Sequence, residues 1–218
     1  MKTGKLFDLT KSASAELLSE YEYAEDALPK LSAFIESLFD TLDFAEYDEI
    51  SDGVWVAKSA RVAKNATVMP PCIIGAETEI RQCAFIRGSV LIGKGCVVGN
   101  SSEVKNSILF DRVQIPHFNY VGDSILGYSA HLGAGAVTSN VKSDKSDVCV
   151  THDGVRRSVG RYKLGALIGD FAEIGCGAVL CPGTIIGRNT TVYPLSLVRG
   201  TVPGDSIYKS AENIIKKY

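Results

Sequence analysis

Apolar residues recur along most of the chain with a period of six. From Val56, an aliphatic side chain stands at every sixth position through Val62, Val68, Ile74, Ile80, Ile86, Ile92, Val98 and Val104. One residue is dropped before the period resumes at Leu109, Ile115 and Val121, and another before Leu126 and Leu132. After a break it returns at Ile168, Ile174, Leu180, Ile186, Val192 and Val198. Four residues after each aliphatic comes a small or β-branched side chain, as at Ala60, Ala66, Cys72, Thr78 and Ala84. Glycine often follows the aliphatic directly, as at Gly75, Gly93 and Gly99. A period of six matches neither a helix nor a two-faced strand. It predicts a triangular solenoid in which the aliphatic residue points inward and stacks on its counterpart in the next coil. Each coil then buries its apolar side only against its neighbours, so about six to seven coils form one core. The two dropped residues mark places where a coil is tightened.

Two stretches fall outside the period. Leu31, Phe34, Ile35, Leu38, Phe39 and Leu42 lie at i, i+3, i+4, i+7, i+8 and i+11, one helix stripe, with Pro29 at its start. Leu17, Leu18 and Tyr21 predict an earlier helix. The first fifty residues therefore read as a helical cap or docking module. Between Thr138 and Leu167 the hexads fail. A polar run over 139–147 leads into two short β-prone runs joined by Asp153-Gly154, which predicts a hairpin. A long insertion in a rigid solenoid is usually functional or flexible; its Lys and Arg content favours a lid over an anionic ligand. The expected organisation is a helical segment over 1–50, a solenoid over 51–203 with an insertion at about 139–165, and a tail over 204–218.

Charge sharpens this division. The net charge is -2, yet residues 1–50 hold 12 acidic and 4 basic residues, and residues 51–218 hold 13 and 19. Of 21 glycines only Gly4 precedes residue 53. The basic surplus is spread over coils and loop, which suits phosphate groups on small ligands and argues against a nucleic-acid surface. No run of about 18 apolar residues occurs, so no membrane span is expected. Met1-Lys2-Thr3-Gly4-Lys5 lacks an apolar signal core, which makes a cytoplasmic location the expectation. The six cysteines form no C-x-x-C pair and are expected to be reduced and buried. His117, His131 and His152 are too widely spaced for a zinc motif, so no metal is expected.

The most specific stretches are Gly99-Asn100-Ser101-Ser102-Glu103-Val104-Lys105-Asn106-Ser107, Pro116-His117-Phe118-Asn119-Tyr120-Val121-Gly122-Asp123 and Leu132-Gly133-Ala134-Gly135. With the hexads, they resemble the left-handed β-helix hexapeptide-repeat acyltransferases. In particular they resemble the acetyltransferase half of the bacterial bifunctional glucosamine-1-phosphate acetyltransferase/N-acetylglucosamine-1-phosphate uridyltransferase, and the β-helix tails of sugar-phosphate nucleotidyltransferases. The likeness lies at 84–140 and 165–202; residues 1–50 have no counterpart. No Gly-rich nucleotide loop with an α/β domain is present, so uridyl transfer is not expected. The resemblance implies a mainly β, left-handed parallel β-helix and a homotrimer with sites between adjacent solenoids. It also implies acetyl-CoA as co-substrate, an amino-sugar phosphate as acceptor, and a step in UDP-N-acetylglucosamine biosynthesis.

The resemblance also assigns residues. His117 stands where the family has its general base, since an amine attacking a thioester must lose a proton and neutral imidazole accepts one near pH 7. Arg87 and Lys105 match residues that hold the sugar phosphate, a task suited to a guanidinium fork and an ammonium. Glu103 matches a carboxylate near the amino sugar. Tyr120 and Asn140 match residues that hold sugar and phosphate. Ala134 and Cys176 match backbone contacts to acetyl-CoA, with Cys176 replacing a serine. His131 stands where the family has a substrate-touching asparagine. Arg199 lies near the position of a coenzyme-binding arginine, and Lys142, Lys145 and Lys163 compete for the place of a loop lysine. Two other readings share the fold. One is a non-catalytic trimeric module that binds a sugar nucleotide. The other is a γ-type carbonic anhydrase, whose close histidine pair this chain lacks.

Overall fold

A computed structural model describes residues 1–217. Residues 54–210 wind into a left-handed parallel β-helix. Two of its faces are nine-stranded sheets and the third is seven-stranded. The first face starts at Val54–Ala57, the second at Arg61–Val62 and the third at Thr67–Met69. Each later coil repeats this triplet in parallel register, as in Val56↔Ile74↔Ile92 on the first face. The periodic aliphatic residues fill the interior. Ile74, Ile80, Ile86, Ile92, Val98, Val104, Leu109, Ile115, Val121, Leu126 and Leu132 are all buried. The two dropped residues fall at one corner, between third and first faces. Asn106 and Asp123, with φ of 45° and 50°, each turn the chain there alone. One coil earlier the same corner uses Gly88 and Ser89, with φ of 81° and 51°.

A second apolar column lies on the outside of the first face. Trp55, Ile73, Leu91, Ile108, Ile125, Leu167 and Ile185 stand in register, one per coil. All but Trp55 are buried. Strands buried on both sides read as continuous apolar runs, as Cys72-Ile73-Ile74 and Val90-Leu91-Ile92 do.

The cover over this column comes from the two non-periodic stretches. The N-terminal segment holds three short α-helices, Thr3–Leu6, Ala15–Ser19 and Leu31–Leu38. The predicted stripe is helical only to Leu38, and a 3-10 turn follows over Phe39–Thr41. Leu31 and Ile35 are buried, and Phe39 packs on Trp55 with ring centroids 6.1 Å apart. Phe7 packs on Phe110 at 5.2 Å. The segment is stitched to coil corners by the N–H of Asp111 donating to the Lys11 carbonyl at 3.0 Å and that of Asp170 to the Leu6 carbonyl at 3.1 Å. It thus covers a face rather than an end of the solenoid.

The insertion forms the predicted hairpin, Cys149–His152 with Val155–Ser158, turning at Asp153 and Gly154 with φ of 49° and 83°. Its position departs from the expected lid. The strand Cys149–His152 packs on Thr184–Ile186 and Thr201–Val202 of the first face, with Val148 and Val150 buried. Arg157 and Arg161 of the insertion face the N-terminal segment. Arg157 meets Glu25 at 2.6 Å and Asp26 at 3.0 Å. His152 Nε2 meets Glu25 at 2.7 Å and its ring lies 4.1 Å from that of Tyr23. Arg161 donates to the Glu25 carbonyl. Part of the N-terminal acidic surplus is therefore a docking surface for the insertion.

Three further differences from expectation follow. Residues 206–210, expected in a tail, form another rung of the second face, and Asn213–Lys216 folds back antiparallel on it. Tyr47–Ser51 spans the expected boundary at residue 50 as an antiparallel partner of Val54–Ala57. Cys72, Cys96 and Cys181 are buried, but Cys83 and Cys176 are exposed. Among the described residues no helix is long and apolar enough to cross a membrane.

Candidate functional site

Parallel stacking converts sequence spacing into adjacency. On the third face Glu103 pairs with Phe85 on one side and with Tyr120 on the other. Lys105 stands beside Gly122 in the same sheet, one coil above Arg87. Arg87, Glu103, Lys105 and Tyr120, spread over thirty-odd residues of sequence, thereby form one polar patch. Arg87 Nη1 meets Glu103 Oε1 at 2.6 Å. That hydrogen bond holds the Arg87 guanidinium above its ordinary pKa. Lys105 Nζ lies 3.6 Å from Asp123 Oδ2. The Tyr120 ring lies over Gly122, where any Cβ would stand 2.4 Å from the phenol oxygen. Its partial burial raises the phenol pKa above the ordinary value. Asn140 completes the patch from the start of the insertion, with its Nδ2 donating to Asp123 Oδ2.

Three other assigned residues, His117, Ala134 and Cys176, stand on the corner between second and third faces. Asn100, His117, Ala134 and Cys176 occupy one corner position in successive coils. Each carbonyl there accepts an N–H from the following coil: Phe118 to Asn100 at 2.9 Å, Gly135 to His117 at 3.0 Å, Gly177 to Ala134 at 2.8 Å, and Leu195 to Cys176 at 2.9 Å. His117, Ala134 and Cys176 therefore form a ladder with about 4.8 Å between steps. His117 is exposed, and its imidazole meets no hydrogen-bond partner among the described residues. The N–H of Gly135 is occupied by the His117 carbonyl, whereas that of Ala134 is unengaged among the described residues and can stabilise an oxyanion.

Asn119 fixes the geometry of this corner. It is 2% exposed. Its Oδ1 accepts the His117 N–H at 3.0 Å, and its Nδ2 donates to the carbonyls of Gly133 and Ala136 at 2.8 and 3.0 Å. It ties the step that carries His117 to the step that carries Ala134.

Other assigned residues stand apart within one chain. His131 lies on the second face, where Nδ1 meets Glu173 Oε2 at 2.8 Å, its register partner in the next coil. Arg199 shares the outward column of Arg87 and Lys105 but sits four rungs beyond Lys105, about 19 Å along the axis at about 4.8 Å per rung. Of the loop lysines, Lys163 is bridged to Val141 at the base of the insertion, beside Asn140, while Lys142 and Lys145 lie in the following turn. Among the described residues no three His, Cys, Asp or Glu side chains are grouped to hold a metal ion.

Sequence reasoning passed over Asp123, Asn106 and Asn119. The first two carried a signal: each sits where the six-residue period loses a residue, and a corner made by one residue in the left-handed region favours Asn or Asp. Asn119 carried none, because its role lies in contacts to the next coil.

Comparison with known proteins finds similar sequences and structures. Residues 68–158 match the family model described as the GMPPB C-terminal domain. A bifunctional protein GlmU from Methanococcus maripaludis is 38% identical over 135 residues, covering 62% of this chain and 33% of that protein. A bifunctional sugar-1-phosphate nucleotidylyltransferase/acetyltransferase from Sulfurisphaera tokodaii is 34% identical over 126 residues, covering 58% and 31%. The solved perosamine N-acetyltransferase from Caulobacter crescentus, in complex with CoA and GDP-perosamine, is 18% identical with a TM-score of 0.33, covering 73% of this chain and 57% of that one. The chain spans about a third of the length of the curated relatives it matches. It is a hexapeptide-repeat β-helix that resembles the acetyltransferase half of such bifunctional proteins.

Proposed function

We propose that this β-helix is an acetyl-CoA-dependent N-acetyltransferase acting on an amino-sugar phosphate of the glucosamine 1-phosphate kind. One observation carries the reading. The ladder of His117, Ala134 and Cys176 and the patch of Arg87, Glu103, Lys105 and Tyr120 meet in one coil, where His117 at the corner leads directly into Tyr120 on the third face.

Arg87 and Lys105 bind the acceptor phosphate, Arg87 exchanging its present carboxylate partner for phosphate oxygens while Lys105, held beside Asp123, offers its remaining N–H donors. Tyr120 and Asn140 hold the sugar. Glu103, freed as Arg87 turns to phosphate, accepts a hydrogen bond from the amine. His117 takes the proton as nitrogen attacks the thioester carbon. The Ala134 N–H receives the oxyanion before the thiolate of coenzyme A leaves. Arg199, distant within one chain, and His131, turned outward on the second face, contribute across an interface in a homotrimer. In solution the protein is then expected at three times its 23.4 kDa chain mass, measured by light scattering.

The test is thiol release from acetyl-CoA with glucosamine 1-phosphate as acceptor. His117→Ala abolishes release and leaves the oligomeric mass unchanged. Full activity in that variant removes His117 from the reaction. Failure of the unaltered protein to bind coenzyme A at all favours the non-catalytic module.

A further inference from the structure

Asp123 has no assigned part in this chemistry, yet it sits where the site and the insertion join. It forms the shortened corner between third and first faces, with φ of 50°. Its side chain is 7% exposed. Oδ1 accepts a hydrogen bond from Asn106 Nδ2 at 2.7 Å. Oδ2 accepts from Asn140 Nδ2 and lies 3.6 Å from Lys105 Nζ. The backbone is equally engaged. The Asp123 N–H donates to the Lys105 carbonyl at 2.9 Å, and its carbonyl accepts from the Gly165 N–H at 2.8 Å.

These contacts share one topological property. At Asn140 the chain leaves the solenoid, and at Gly165 it returns. Asp123 holds the exit by its side chain and the return by its carbonyl. The two strands of the base are joined by the Leu164 N–H donating to the Asn140 carbonyl at 3.0 Å and by the Val141–Lys163 bridge. A nearly buried carboxylate is tolerable only with donors around it, and here two of the three side-chain donors, Lys105 and Asn140, are groups assigned to the acceptor phosphate and sugar.

We propose that Asp123 is a positioning residue that clamps the base of the insertion and thereby fixes Lys105 and Asn140 toward the acceptor. Its link to the acceptor rests on the function proposed above; its clamping of the insertion does not. Carboxylate chemistry is essential to the clamp. In Asp123→Asn one oxygen becomes an NH2, which faces either the carboxamide NH2 of Asn140 and the Lys105 ammonium or the NH2 of Asn106. Either the Lys105 ammonium loses its acceptor or a neighbouring carboxamide must turn its oxygen to the new NH2, and in both cases the present clamp is broken.

The test uses the full chain and two readouts. Hydrogen exchange followed by mass spectrometry reports the insertion without reference to activity. Asp123→Asn raises exchange about tenfold at 139–147 and 161–165, while the coils at 167–198 stay at unaltered rates. If Asp123→Asn does not fold, Asn106→Ala, which removes one donor and keeps the carboxylate, gives a smaller rise in the same two segments. Unchanged exchange there overturns the clamp. Kinetics report the positioning: the KM for glucosamine 1-phosphate rises about tenfold, the loss of one charge-assisted hydrogen bond, with the KM for acetyl-CoA unchanged. Asp123→Glu restores part of it. An equal rise in both KM values, or an unchanged acceptor KM in the active variant, overturns the positioning role. A wild-type protein inert toward every amino-sugar phosphate sinks the proposed function and with it the positioning role, whereas the exchange result still decides the clamp.

Discussion

At the residue scale, burial separates the cysteines and hydrogen bonding singles out Asn119. Burial pushes the Cys96 thiol up to about 12 and raises that of Cys72 further. Both stay protonated and unreactive at neutral pH. Cys83 and Cys176 are exposed. Iodoacetamide is therefore expected to modify Cys83 and Cys176 in the native protein and to spare Cys72 and Cys96, as read by peptide mass. Saturating coenzyme A is expected to protect Cys176 and not Cys83, because only Cys176 shares the corner ladder with His117. Asn119→Ala leaves the His117 N–H and the buried Ala136 carbonyl without this partner, while the Gly133 carbonyl keeps only the Ala136 N–H at 3.1 Å. About 2–3 kcal/mol of stability is expected to be lost in urea unfolding. Spacing reveals inward residues such as Ile115 and Leu132. A buried amide whose three partners all lie in contacts made by the fold escapes it.

Each strand of the first face carries information that the six-residue period obscures. The period picks out Ile74, Ile92, Leu109, Ile168 and Ile186. The residue just before each, from Ile73 to Ile185, is equally apolar and points outward. That second column recurs only once per coil, and its meaning depends on knowing which strands share a face. Ile108 is fully buried on the outside of the first face, so Ile108→Ala is expected to cost about 2–4 kcal/mol, measured by denaturant midpoint. The same truncation at Val97, partly exposed on the second face, is expected to cost well under half as much. The hairpin was legible because Asp-Gly supplies two residues that tolerate positive φ. Its docking was not, because Glu25 and Arg157 are far apart in sequence and follow no period.

Across the whole molecule the two non-periodic stretches act as one layer. The N-terminal segment covers the early coils of the first face, the insertion covers the late ones, and they meet at Glu25. Glu25 is fully buried, and His152 and Arg157 converge on its Oε1. Glu25→Ala removes the acceptor from both and is expected to cost about 3 kcal/mol. Proteolysis at the hairpin tip, Asp153-Gly154, is expected to accelerate as the layer loosens. The charge difference between the two parts of the chain, visible in composition, thus has a mechanical use inside one molecule as well as the electrostatic one assigned to phosphate.

The reversed strands at the two ends have a bearing on solubility. A stack of identical coils is a template for its own continuation, since its last rung offers the same unpaired N–H and carbonyl groups as every rung within. Fibre growth requires the next molecule to add all three walls in the same direction. Tyr47–Ser51 closes one wall at one end and Asn213–Lys216 another at the other, each running the wrong way. Both are exposed, and the first carries Asp48 and Glu49. A molecule arriving end-on meets one wall out of phase and charge as well, Asp48 and Glu49 at one end and Lys216 at the other, which disfavours propagation of the repeat from chain to chain.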